Sequence, residues 1–106
     1  MDLDAHADCP DAEFPAGASV RRLVIINRKG LHARATAKLV RTVEGFEADV
    51  WIARCGEMVG GRSIMGLLTL GAGIGSTIEV AALGHDGDAA LDAIQALIAD
   101  RFGEGE

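Results

Sequence analysis

His32 is the residue of this sequence with the clearest chemical potential. It stands in Asn27-Arg28-Lys29-Gly30-Leu31-His32-Ala33-Arg34, a glycine-broken loop running into an apparent helix start. A helix N-terminus presents unpaired backbone N–H groups and the positive end of the macrodipole, so it attracts anions, phosphate in particular. Imidazole there is favoured in its neutral form, which leaves a ring nitrogen free to attack phosphorus. Its reference pKa of ~6.5 already makes it a usable nucleophile near neutral pH. A phosphoryl group on the ring would add about two negative charges at the helix end. Arg34 has the planar fork that grips phosphoryl oxygens. A lone histidine near a helix start is more often a cap or a surface residue. Residue types and spacing alone therefore stop at an anion site that contains a nucleophile, and leave the plain cap open.

The elements that must position His32 follow from periodicity. Residues Val20 to Ile26 read as a β-branched strand. A helix from about His32 to Glu44 buries Thr36, Leu39, Val40 and Val43 on one face. Arg34, Lys38 and Arg41 form a basic stripe on its outside, and Gly45 ends it. Ala48 to Ile52 is a second strand, Arg54-Cys55-Gly56 a hairpin turn, and Glu57 to Val59 a short third strand. Ser63 is a good N-cap for a helix from Ile64 to Leu70, closed by Gly71. Ser76 to Ala82 is the fourth strand. Asp88 to about Phe102 forms the last helix, with Leu91, Ile94, Leu97 and Ile98 inward. The order β-α-β-β-α-β-α predicts an α+β open-faced sandwich: a four-stranded antiparallel sheet with three helices on one face.

Composition narrows the function. With 49% apolar and 25% charged residues in 106, one soluble domain is expected. Of the net charge of −6, five acids without a base fall in residues 1–19. That segment, with Pro10, Pro15 and Gly17 and no periodicity, reads as an acidic, flexible extension to a domain at 20–103. The remainder is nearly neutral, which argues against nucleic-acid binding. Within it Arg28, Lys29, Arg34, Lys38 and Arg41 cluster without an intervening acid, pointing to an anionic ligand or an acidic partner. No apolar run is long enough to span a membrane, and the first residues lack a signal-peptide pattern, so a cytoplasmic protein is expected. Cys9 and Cys55 then read as two unpaired thiols, with neither a disulfide framework nor a zinc site. His6 and His85 read as surface and turn residues. Asp86, Asp88 and Asp92 lack EF-hand spacing, so no metal and no cofactor is expected.

Two motifs carry a resemblance. Lys29 to Ala37 is similar to the active-site signature of the HPr family, the histidine-containing phosphocarriers of the phosphoenolpyruvate-dependent phosphotransferase system. Arg62 to Ala72 resembles the serine-site helix of the same family, at a matching separation. The resemblance spans about residues 20–102. It implies phosphorylation of His32 at the ring δ1 nitrogen, with Arg34 steadying the phosphoryl group. It implies that Ser63 matches the serine that an HPr kinase/phosphatase modifies in some members. Ile64, Met65 and Leu68 match the apolar patch that docks on partners. The implied partners are enzyme I as donor and an enzyme IIA domain as acceptor, in sugar uptake or nitrogen-related regulation. The chain would act as a monomer and as a carrier, not an enzyme. One departure is Ala35, where many members have proline. The Arg34-Ala35-Thr36-Ala37 version resembles the nitrogen-related and alphaproteobacterial variants.

Ser63 has a plain reading as an N-cap. The apolar patch has a physical reading of its own, because Ile64, Met65, Leu67, Leu68 and Leu70 cannot all face inward from a two-turn helix. Exposed methionine suits a surface that meets several partners. Two other functions compete with the carrier: a regulatory binding module whose histidine is never phosphorylated, and a stand-alone phosphatase or acyl transferase using His32. No Ser/His/Asp or Cys/His constellation supports the last.

Overall fold

A computed structural model describes residues 9–104; His6 lies outside them. The strands are β1 (Ser19–Val24), β2 (Asp49–Arg54), β3 (Glu57–Gly60) and β4 (Thr77–Leu83). The helices are α1 (Ala33–Glu44), α2 (Ile64–Thr69) and α3 (Gly87–Ala99). The sheet is antiparallel in the order β1-β4-β2-β3. It is the expected open-faced sandwich.

Alternation along the strands decides which face receives the helices. Val50 and Ile52 of β2 and Ile78, Val80 and Ala82 of β4 point to one side and are buried. They meet Leu39, Val40 and Val43 of α1, Leu67 of α2, and Leu91, Ile94 and Ile98 of α3 in one core. The inward set anticipated for α1 is buried, with Ala35 added to it. Gly45 caps α1 as expected, but in an ordinary right-handed conformation.

The folded chain departs from the local pattern at three places. The last helix does not reach Phe102: α3 ends at Ala99, and Arg101 and Phe102 both take positive φ (54° each) before Gly103. Each non-glycine left-handed residue costs about 1–2 kcal/mol. Burial of the Phe102 ring, fully enclosed in the core, offsets this by roughly 1.5–3 kcal/mol. Periodicity follows the apolar side chain inward but is blind to the backbone that delivers it. Second, Cys9 and Cys55 are joined by a disulfide rather than being two free thiols. A separation of 46 residues without a motif hides the pairing; only the chain path brings the two together. Third, residues 9, 11 and 12 of the segment 1–19 are fastened to the fold. The disulfide, an Asp11–Arg22 ion pair of 2.6 Å and a hydrogen bond from the Ala12 N–H to Glu79 Oε1 (3.3 Å) hold them against the sheet.

Candidate functional site

The loop before α1 is built around Gly30. Its φ is +65°, and a Cβ there would lie 2.5 Å from the Ala72 carbonyl oxygen and 2.7 Å from the Gly73 Cα. Only glycine fits, in both backbone angle and space. The Leu31 N–H donates to the same Ala72 carbonyl at 2.9 Å. The His32 loop is therefore seated on the chain that leaves α2, which locks together the two segments singled out in the sequence.

His32 is the N-cap of α1, with extended backbone (φ −81°, ψ 178°) and no side-chain cap bond. Its carbonyl accepts the first helical bond, from Thr36 N–H at 2.9 Å. The side chain is directed elsewhere. Nε2 of His32 is in hydrogen-bonding contact with Oε2 of Glu104. A carboxylate only accepts, so Nε2 is the donor, and in the neutral ring Nδ1 keeps its lone pair.

Glu104 is held by a second residue. Asn27, fully buried, donates from Nδ2 to Glu104 Oε1 (3.0 Å) and to the Gly30 carbonyl (2.8 Å). These bonds hold the Glu104 carboxyl below its ordinary range, the bond from His32 first and that from Asn27 second, against an opposing effect of burial. The left-handed pair at Arg101 and Phe102 is what turns the chain end back over α1. Lys38, from the basic stripe, donates its ammonium to the Phe102 carbonyl and secures the turn.

Lys29, His32, Ala33, Arg34, Lys38, Gly103 and Glu104 line one open cleft. Three cations and a single carboxylate surround the imidazole, so the cleft favours an anionic group. Arg34 is exposed and sits in this cleft with His32. Arg41, one turn beyond Lys38, is exposed outside it.

The second anticipated site is adjacent in the fold. Ser63 caps α2, its Oγ accepting from Gly66 N–H at 3.0 Å. Leu67 and Leu70 are buried, Ile64 (42%) and Met65 (71%) are exposed, and Leu68 lies between. The helix divides its apolar residues as its length requires. Gly66 permits the close approach to β3: a Cβ there would lie 3.0 Å from that of Val59. His85 is exposed in its turn, and Asp86 accepts from the Glu47 N–H at 2.8 Å. Among the described residues no cluster of His, Cys, Asp and Glu could hold a metal. No helix among them is long and apolar enough to cross a membrane.

Asn27 and Glu104 were missed by sequence reasoning. Asn27 reads as a strand breaker, and Glu104 lies 72 residues from His32 in a Gly- and Glu-rich end. Nothing in local pattern joins them.

Residues 20–100 match the family model described as "PTS HPr component phosphorylation site". The phosphocarrier protein HPr of Cupriavidus necator is 51% identical over 86 residues, covering 81% of this chain and 97% of that one. The phosphocarrier protein NPr of Shewanella violacea is 43% identical over 84 residues, covering 79% and 92%. The crystal structure of an HPr from Thermoanaerobacter tengcongensis superposes with a TM-score of 0.78 at 35% identity, over 81% of this chain and 97% of that one. A glycine-seated loop, a histidine at an open helix N-terminus and a serine-capped second helix thus coincide with a family match over most of the sequence, and the chain belongs to the HPr family of phosphotransferase-system phosphocarriers.

Proposed function

We propose that this protein accepts a phosphoryl group on Nδ1 of His32 from phosphorylated enzyme I and passes it to a histidine of an enzyme IIA protein. The observation that carries the reading is the hydrogen bond of His32 Nε2 to Glu104, because it leaves Nδ1 as the free nucleophile. In the forward step the Nδ1 lone pair forms the new P–N bond as the bond from phosphorus to the donor's histidine breaks. With Nε2–H retained, the ring of His32 becomes cationic. Glu104 faces that charge, as the carboxylate does behind the histidine of a catalytic triad. Arg34 and the N–H groups at the start of α1 take the charge of the phosphoryl oxygens. The chain contributes position and electrostatics, as phosphoryl transfer requires, and acts as a carrier rather than an enzyme.

In this reading residues 20–103 are the carrier domain, and 1–19 an appended segment. The protein works as a cytoplasmic monomer without a cofactor. Ile64, Met65 and Leu68 form the partner-docking patch. Ser63 is the regulatory site for an HPr kinase/phosphatase, where added phosphate would place charge beside that patch. The relay serves sugar uptake or nitrogen-related regulation.

Incubation with phosphoenolpyruvate and enzyme I is expected to add one acid-labile phosphate, absent in His32→Ala. A protein that remains unmodified with several enzymes I would overturn the carrier role.

A further inference from the structure

The strand face turned away from the helices is partly covered. Ala53 and Ala81 point to that side, opposite in parity to Ile52 and Val80, yet both are fully buried. Neither belongs to the helix-facing core. Glu79, on the same face, is only 14% exposed at its side chain. Residues 9–12 lie against this face, running from the β2–β3 hairpin tip to Glu79 and Arg22.

Its anchor is covalent. Cys55 and Gly56 form the two-residue hairpin turn, both at positive φ (50° and 83°). Cys55 stands where asparagine or glycine is usual, and its sulfur is bonded to Cys9. Pro10 lies directly on Gly56, where a Cβ would come within 2.8 Å of the proline ring. The other ties given above are one exposed ion pair and one hydrogen bond. Such contacts are weak. The entropy of ordering residues 9–12 outweighs them.

We propose that Cys9–Cys55 is a thiol–disulfide exchange site that straps residues 9–12 over the open sheet face and releases them on reduction. Cys55 is exposed and Cys9 half-exposed, so an attacking thiolate can reach the bond. A dithiol attacks one sulfur to form a mixed disulfide, and its second thiol then displaces the protein. Two electrons pass to the protein, Cys9 and Cys55 leave as two thiols with their protons, and the dithiol becomes a disulfide. Glutathione disulfide reverses the step by two exchanges, releasing two glutathione thiols. The device is independent of His32 phosphorylation, because it acts on the opposite side of the sheet from the helices.

The test uses the full chain equilibrated in glutathione buffers of graded redox ratio. The fraction of disulfide is read by alkylation and intact mass. The cover is read by hydrogen exchange of residues 9–12 and by fluorescence of Trp51, the single tryptophan, which shares the covered face. Exchange of the segment is expected to accelerate at least tenfold in step with reduction, with a red shift of Trp51. Cys9→Ser and Cys55→Ser are both expected to show the released state in every buffer. Full alkylation of both cysteines after equilibration with glutathione disulfide would overturn the proposal. So would exchange rates that do not change on reduction.

Discussion

α1 and α2 begin in the same way and are finished differently. Each has a polar residue at the N-cap in extended backbone, and each follows a glycine-containing loop. At α2 the Ser63 hydroxyl satisfies a helix N–H itself. At α1 the His32 ring turns away to Glu104 and leaves the first N–H groups uncapped by its side chain. The first arrangement is a closed cap that stabilises a short helix; the second is an open one that can receive an anion. The two residues proposed to carry phosphate are thus capped in opposite senses. A phosphoryl group on His32 would meet unpaired donors, whereas one on Ser63 would replace a cap already made.

Gly30 couples the two regions. Gly30→Ala forces a side chain into the Ala72 carbonyl at a left-handed position, and is expected to cost about 2–4 kcal/mol. Urea unfolding measures it; a cost under about 0.5 kcal/mol would mean that the loop reseats freely. Next in size, Arg34→Ala is expected to slow phosphoryl transfer by ~10–100-fold, by loss of one charged donor, while the circular dichroism spectrum is unchanged. Transfer at the native rate would remove Arg34 from the site. Ser63→Ala should lower stability by about 1 kcal/mol through loss of the cap, and leave His32 labelling unaffected. An equal loss of labelling would show that the caps are not separable.

The smallest effect concerns Glu104. Its carboxyl is held below the ordinary range, chiefly by the bond from His32. A depressed carboxylate contributes stability that is present above its unfolded pKa and lost as pH falls through the folded one. Carbon-detected NMR titration should find a midpoint under the ordinary glutamate value, moving upward in His32→Ala. A midpoint that does not move would show that the contact is absent in solution.

Much of this was legible in the chain. Strand and helix order, the inward face of α1, the cap at Ser63 and the split of apolar residues along α2 all follow from local propensity and periodicity. These properties act within a few residues, so a sequence displays them directly. The pairing of Cys9 with Cys55, the Asn27–Glu104–His32 chain and the left-handed steps at Arg101 and Phe102 were not legible. Each depends on segments that meet only after the sheet has closed and the core has taken in Phe102. Local pattern alone puts His32 at a helix start among cations, and leaves its role open. Which ring nitrogen is left free follows only from the fold, because the carboxylate bonded to Nε2 arrives from the far end of the chain.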